Sequence, residues 1–179
     1  MELKIKILDS VSISVRDFDV TVKGPKGELQ RRMTYPGLKF LVQDNEFIIK
    51  SKEEKISRRD KMFINTFRAH VNNMMIGATE GFEYRMKICS GHFPMSVLIE
   101  KGFLVIKNFL GEKVPRKTKL IEGVEIKIDG DQILLKGVDK EKVGQMAAKI
   151  EQAAVVKNRD KRIFQDGCYI TEKAGKSVA

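Results

Sequence analysis

The sequence holds few residues that could catalyse a reaction or bind a metal. Its histidines are His70 and His92, and its cysteines are Cys89 and Cys168, which are far apart and outside any Cys-x-x-Cys spacing. Ser90 lies two residues before His92, but nucleophilic catalysis also needs a carboxylate to orient the imidazole and an oxyanion hole. The carboxylates show no ligand-like clustering. We therefore predict no catalytic residue, no metal and no cofactor.

The residues best suited to bind a partner are the cations that follow the second predicted helix, between Lys157 and Tyr169. Cations here alternate with amide and aromatic side chains, so phosphate contacts, hydrogen bonds and stacking surfaces occur together, as RNA recognition requires. Lys157 and Arg159 could also complement the dipole at the end of that helix. The candidate RNA-binding residues are Lys157, Asn158, Arg159, Lys161, Arg162, Phe164 and Tyr169.

A second basic cluster, Lys113-Val-Pro-Arg116-Lys117-Thr-Lys119, places four cations in a segment that contains proline. A loop of this composition can direct Lys and Arg side chains outward at phosphates, but an ordinary solvated loop has the same composition. We include Lys113, Arg116, Lys117 and Lys119 as further candidate RNA-binding residues. Gly24-Pro-Lys-Gly27 lacks the spacing of a phosphate-binding loop and is interpreted as a hairpin turn.

The overall charge supports a polyanionic partner. The 179 residues include 34 Lys plus Arg and 24 Asp plus Glu, which gives a formal net charge of +10. Cations that neutralise phosphates release condensed counterions, so nucleic acid is the first expectation. An anionic membrane is a weaker one, because the chain has no run of about 18 apolar residues. The hydrophobic fraction of 42% is sufficient for a folded core.

The elements that position these residues follow from alternation and turn chemistry. Short alternating strands are predicted between residues 11 and 50, with turns at Gly24-Pro-Lys-Gly27 and Asp44-Asn45. A helix capped by Ser57 and stopped by Gly77 follows. Further strands begin near Phe82 and include a hairpin at Asp129-Gly130-Asp131. A second helix is capped by Asp139.

The two halves repeat the same order of elements. Val20-Thr-Val-Lys23 matches Leu104-Val-Ile-Lys107 at an offset of 84, and Phe47-Ile-Ile-Lys50 matches Ile133-Leu-Leu-Lys136 at an offset of 86. The apolar stripes of the two predicted helices match at an offset of 79. We predict an α+β fold of two tandem similar domains from an internal duplication, each a small antiparallel sheet with one packed helix. The predicted domains are residues 1–81 and 82–179, the second carrying the basic C-terminal segment.

Several motifs resemble one known family. Gly24-Pro-Lys-Gly27, Gly91-His-Phe-Pro94 and above all Val138-Asp-Lys-Glu-Lys-Val-Gly-Gln145, continuing through Ala147-Ala-Lys-Ile150, resemble the large-subunit ribosomal proteins numbered six in bacteria and nine in eukaryotes. The resemblance covers almost the whole chain. Where bacterial members have Pro-Glu-Pro-Tyr-Lys-Gly-Lys-Gly, this chain has Val155-Val-Lys-Asn-Arg-Asp-Lys-Arg162, which looks eukaryotic or archaeal.

The resemblance implies a non-catalytic constituent of the large subunit. Its second domain is expected to bind large-subunit rRNA near the sarcin-ricin loop and the stalk base, with neighbouring ribosomal proteins and translation factors close by. It implies a cytoplasmic location on the ribosome, with a nucleolar assembly stage in a eukaryote. No membrane association and no homo-oligomer are expected.

The main alternative is a free-standing RNA-binding regulator or ribosome-assembly protein, which the composition alone permits equally. An enzyme acting on nucleic acid is a second alternative, but the sequence lacks clustered carboxylates and a nucleophile with a base. A pure protein-interaction module would leave the net charge of +10 without a role.

Overall fold

The computed structural model describes residues 2–52 and 56–178. The chain divides into two compact units, Met1–Gly81 and Phe82–Ala179. In each unit, antiparallel strands form two sheets and one long helix packs on the core. The predicted duplicated α+β fold is confirmed, and the structure adds that the strands of each repeat divide between two sheets.

The first unit has two three-stranded sheets, with strand orders β1-β6-β5 and β2-β3-β4. The Gly24-Pro-Lys-Gly27 turn joins β3 to β4, and Asp44 and Asn45 join β5 to β6 with positive φ values of 49° and 61°. The elements are β1 Glu2–Lys6, β2 Ser12–Arg16, β3 Asp19–Gly24, β4 Gly27–Arg32, β5 Leu38–Gln43, β6 Glu46–Ser51 and α1 Arg58–Thr79.

The second unit repeats this plan and extends it. Its sheets have the orders β10-β9-β8 and β11-β12-β7-β13-β14, so two strands are added beyond the repeated set. The predicted hairpin at Gly130 joins β11 to β12, with Asp129 opposite Gln132. The elements are β7 Phe82–Cys89, β8 Ser96–Glu100, β9 Phe103–Lys107, a 3-10 turn Phe109–Gly111, β10 Arg116–Lys119, β11 Val124–Asp129, β12 Gln132–Gly137, α2 Lys140–Ala153, β13 Gly167–Lys173 and β14 Lys176–Ser177.

Each unit has its own hydrophobic core, built from equivalent positions of the two repeats. Side chains from the central strands meet the apolar stripe of the helix, and burying one such side chain contributes about 1.5–3 kcal/mol. In the first unit these residues include Val20, Val22, Phe47, Ile49, Ile64, Phe67 and Val71, and in the second Leu104, Ile106, Ile133, Leu135, Val143, Met146 and Ile150.

Both predicted helix starts are confirmed, but the predicted end of α1 at Gly77 is wrong. Ser57 forms a capping box with Asp60, and Asp139 accepts the N–H of Glu141 at 2.8 Å. The helix continues through buried Gly77 to Thr79, and Gly81 takes the positive φ of 74° that follows a helix end. A glycine does not by itself end a helix, and Gly77 is a buried residue inside this one.

A glycine within a helix often indicates that the backbone of another element lies close to it. No such backbone lies close to Gly144 of α2. A Cβ built there would lie 3.7 Å from the Tyr84 hydroxyl oxygen, which is an ordinary van der Waals distance. The neighbour is thus a side chain of β7, in the sheet beneath the helix. At Gly137, by contrast, a Cβ would lie 2.7 Å from Val143 Cγ2.

Because Gly144 has room for a methyl group, Gly144→Ala is expected to stabilise the second unit by about 0.5–1 kcal/mol, since alanine loses less backbone entropy in a helix. Urea denaturation would measure the change. Gly137→Ala is the matched control and should be destabilising. A lower midpoint for Gly144→Ala would contradict the assigned packing.

Candidate nucleic-acid interface

The chain between α2 and β13, which we call the basic strap and define as residues 154–166, is an irregular connection with an exposed middle, residues 157–163. Its cations Lys157, Arg159, Lys161 and Arg162 are all exposed. A turn in the middle is fixed by the carbonyl of Asp160, which accepts the N–H groups of Ile163 and Phe164 at 3.2 and 2.9 Å. Asn158, also exposed, has a positive φ of 57°.

Arg162 is partly neutralised within the strap. Its guanidinium Nη2 lies 2.8 Å from Asp160 Oδ2, and its backbone N–H donates to Asp160 Oδ1 at 2.9 Å. The hydrogen bonds from Arg162 lower the pKa of the Asp160 carboxyl. Because the Arg162 side chain is 90% exposed, this ion pair contributes little to stability. A phosphate can therefore replace the Asp160 carboxylate as the partner of Arg162.

Phe164 lies between other side chains of the site. The imidazole of His92 stacks on its ring with centroids 4.5 Å apart, and the Arg159 guanidinium carbon lies 4.7 Å from the ring centroid. Phe164 is accordingly half-buried. Because two planar groups pack against the Phe164 ring, the ring helps to position Arg159. Little of its surface is left for an RNA base to stack on.

Asp166 anchors the end of the strap to a loop of residues 90–95. Its side chain is 2% exposed, and its Oδ1 accepts the N–H groups of Gly91 at 2.7 Å and His92 at 3.1 Å. Its Oδ2 lies 2.7 Å from His92 Nδ1. Burial raises the pKa of the Asp166 carboxyl, but the bonds from His92 and Gly91 outweigh it and the pKa is lowered. An ionised carboxylate therefore fixes both segments.

Arg116 anchors the start of the strap. Its Nη1 donates to the carbonyls of Ala153 and Val155, each at 2.9 Å, and Glu112 accepts from Nε and Nη2 at 2.8 and 2.6 Å. The guanidinium carbon lies 4.0 Å from the Phe109 ring centroid. Arg116 therefore donates hydrogen bonds to the backbone carbonyls at the end of α2. From the sequence, Lys157 and Arg159 are the candidates for stabilising this helix end.

The prediction that Lys113 to Lys119 form one loop is wrong for its second half. Arg116–Lys119 is strand β10, which pairs with β9 at the edge of its sheet. Alternation along this strand exposes Lys117 and Lys119 and turns Arg116 inward. Lys113 lies in the preceding bend and is exposed. The cluster thus divides into three exposed lysines and one arginine that contacts other parts of the protein.

Tyr169 lies on β13, opposite Lys87 of β7, and is 42% exposed. Its hydroxyl is 3.5 Å from the carbonyl of Asp166, a distance at which a hydrogen bond is weak. Burial raises the pKa of this hydroxyl, so it remains protonated at neutral pH and can donate to a partner.

His92 and Asp166 form a pair that the spacing of residues in the sequence does not predict. The carboxylate that would orient the His92 imidazole does exist, 74 residues along the chain. In the described part of the chain, however, no hydrogen bond joins Ser90 to that ring, so the arrangement lacks an activated nucleophile. The Asp–His pair joins two loops and does not form a hydrolytic site.

The fold and this surface define the class of the protein: an internally duplicated, basic α+β protein whose exposed cations lie on a strap anchored at both ends. Within residues 2–52 and 56–178, no helix is both long enough and apolar enough to cross a membrane.

Comparison with known proteins identifies the family. The family model described as "Ribosomal protein L6" matches twice, at residues 7–81 and 93–167. The large ribosomal subunit protein uL6 of Methanococcus vannielii is 43% identical over 173 residues, covering 97% of this chain and 94% of that protein. Those of Methanobrevibacter smithii and Methanosarcina mazei are 42% and 44% identical over 170 residues, covering 95% of this chain and 94% and 96% of theirs.

The chain belongs to the ribosomal protein L6 family, a family of structural proteins that are not enzymes. The predicted membership is confirmed, and the two matches correspond to the two repeats. The similar relatives named above are archaeal, in agreement with the eukaryotic or archaeal character of residues 155–162.

Proposed function

We propose that this protein is a structural constituent of the large ribosomal subunit that binds large-subunit rRNA chiefly through its second domain, near the sarcin-ricin loop and the stalk base. The family and the homologues support the ribosomal role. The location on the rRNA rests on the family resemblance. Neighbouring ribosomal proteins of the stalk base and nearby translation factors are the other partners, and the ribosome in the cytoplasm is the location, with nucleolar assembly in a eukaryote.

The single observation that carries the proposed site is the anchored basic strap. Four exposed cations follow one another within six residues, and the backbone on either side of them is fixed by Arg116 and by Asp166. A phosphate-binding segment that is already ordered loses less conformational entropy when RNA binds. The strap is therefore suited to hold an RNA backbone in one register.

The candidate residues have different roles in this proposal. Direct contacts to phosphates come from exposed side chains, whereas Arg116 and Phe164 position the strap and Arg159. Tyr169 offers its exposed hydroxyl to RNA from β13. The residues assigned to direct contacts are Lys157, Asn158, Arg159, Lys161, Arg162, Lys113, Lys117, Lys119 and Tyr169.

Replacing Lys157, Arg159, Lys161 and Arg162 together with alanine is expected to weaken rRNA binding at least tenfold, because up to four phosphate contacts and their released counterions are lost. The measurement is sedimentation of tagged protein from a lysate through a sucrose gradient, with salt washes of the subunit fractions. Wild-type protein should co-migrate with the large subunit and survive moderate salt, while the variant should be removed.

A matched control removes the same charge from the first unit. Lys39, Lys50, Arg58 and Arg68 are exposed there, and their replacement with alanine should leave co-migration unchanged. If the strap variant stays bound as firmly as this control, the site lies elsewhere on the protein. If the wild-type protein stays at the top of the gradient, the ribosomal role is wrong. A free-standing RNA-binding regulator is then the better hypothesis.

A further inference from the structure

The loop of residues 90–95 carries an exposed aromatic ring, that of Phe93. Phe93 is 47% exposed, the highest value for any aromatic side chain in the described ranges. One exposed apolar residue is ordinary, but an exposed aromatic ring beside cations is the arrangement that stacks on bases in RNA-binding proteins.

The backbone around Phe93 is held on both sides. Before it, the N–H groups of Gly91 and His92 donate to the buried Asp166 carboxylate. After it, the Pro94 carbonyl accepts a hydrogen bond from the Asn108 side chain at 2.9 Å. The exposed ring therefore belongs to an ordered loop, so the loop loses little conformational entropy when a ligand binds.

The Phe93 ring lies against a turn of unusual conformation. A Cβ built on Gly111 would be 3.8 Å from the ring, so the ring packs beside the backbone there. Asn108, Leu110 and Gly111 all have positive φ values, of 59°, 48° and 79°. A leucine in the left-handed region costs about 1–2 kcal/mol, and such strain tends to occur where a binding site must be held in place.

The groups next to Phe93 favour RNA over an apolar partner. His92, which precedes Phe93 in the chain, stacks on Phe164, and the Arg159 guanidinium lies over the same Phe164 ring, so Phe164 connects this loop to a cation of the basic strap. Because His92 Nδ1 is bonded to Asp166, the remaining ring nitrogen, Nε2, is the one available for a ligand. The His92 side chain is 36% exposed, which leaves that contact open.

The other two exposed aromatics of the second unit are less suited to stack on a base. Phe103 is 41% exposed on β9, where Lys119 and Glu100 lie opposite it on the two neighbouring strands. Tyr169 lies on β13 beside Lys87. Both rings stand within a sheet surface among long side chains, whereas Phe93 projects from a loop.

We infer that the loop of residues 90–95 is a binding site for an unpaired nucleotide of RNA. Phe93 stacks on the base, His92 Nε2 contacts the sugar or phosphate, and Arg159 neutralises the backbone charge. This inference rests on the proposed function and narrows it, because it requires the bound RNA to present an unstacked base beside a helical segment.

The test compares two hairpin RNAs that differ by one bulged 2-aminopurine, whose fluorescence falls when it stacks. Wild-type full-length protein should bind the bulged hairpin more tightly and quench it. Phe93→Leu should weaken that binding about tenfold and abolish the quenching, while changing affinity for the paired hairpin less than about twofold. Phe93→Tyr should behave as the wild type.

Phe103→Leu is the matched control, since it removes a ring of similar exposure elsewhere in the same unit, and it should change neither affinity. The nucleotide site would be overturned if the wild-type protein bound the two hairpins with equal affinity. It would also be overturned if Phe93→Leu lowered the affinity for both hairpins equally. The proposed function would survive that result if the protein still sedimented with the large subunit. Absence from the large subunit together with binding to neither hairpin would overturn both.

Discussion

Arg116→Ala is expected to lower the free energy of unfolding of the second unit by about 3 kcal/mol, as measured by urea denaturation. The substitution removes two hydrogen bonds to the carbonyls of Ala153 and Val155, two to Glu112 and the contact with the Phe109 ring. Hydrogen bonds from a charged group contribute about 1.5–3 kcal/mol each in favourable cases, and solvation of the freed carbonyls offsets part of the loss.

Lysine should not restore the stability lost at position 116. A lysine keeps the charge but is a single point donor, whereas the planar guanidinium reaches the helix end and Glu112 at once. Arg162→Ala is the matched control, because its ion pair with Asp160 is exposed and its loss should lower the free energy of unfolding far less than Arg116→Ala does. A stable Arg116→Lys variant would show that charge alone matters at this position.

Asp166→Ala is expected to have a similarly large effect, a loss of about 3 kcal/mol, because the N–H groups of Gly91 and His92 would lose a buried acceptor. Asp166→Asn should recover part of this stability, since an amide oxygen can still accept those bonds. Urea denaturation provides the measurement, and the exposed Asp160→Ala is the control. An unchanged midpoint for Asp166→Ala would mean that the two loops are held by other contacts.

Acid pH should affect this site in a defined direction. The folded-state pKa of Asp166 is lowered below its usual value of about 3.9. Its ionised form therefore adds stability at pH values above about 3.9, and that stability is lost as the pH falls through the lower folded pKa. Between pH 5 and pH 3, the wild-type protein should lose more stability than Asp166→Asn, which has no carboxyl there to protonate.

Local patterns predicted most of the scaffold. Alternation located the strand around Val20, a compact apolar run located the strand around Phe47, and side-chain caps located the starts of both helices. The equivalent spacing of the two halves indicates the duplication from the sequence alone. These features depend on residues close together in sequence, so their physical cause is visible in the printed chain.

The features that the sequence did not reveal depend on distant contacts. Arg-Lys-Thr-Lys at β10 carries no apolar alternation, and it becomes a strand because β9 offers a free edge. Asp166 and His92 are 74 residues apart, and Arg116 and Ala153 are 37 apart. Nothing local distinguishes a buried anchoring carboxylate or guanidinium from an exposed one, so the ends of the strap could not be inferred.

The position of Arg116 at the end of α2 changes the electrostatics at the start of the strap. The C-terminus of a helix carries roughly half a negative charge, which repels a polyanion at close range. The guanidinium donates to the terminal carbonyls and offsets that partial charge where the chain turns into the strap, while its other nitrogens pair with Glu112. Arg116 therefore reduces the repulsion that Glu112 and the helix end would otherwise exert on an approaching phosphate, and the attraction for RNA comes from the exposed cations that follow in the strap.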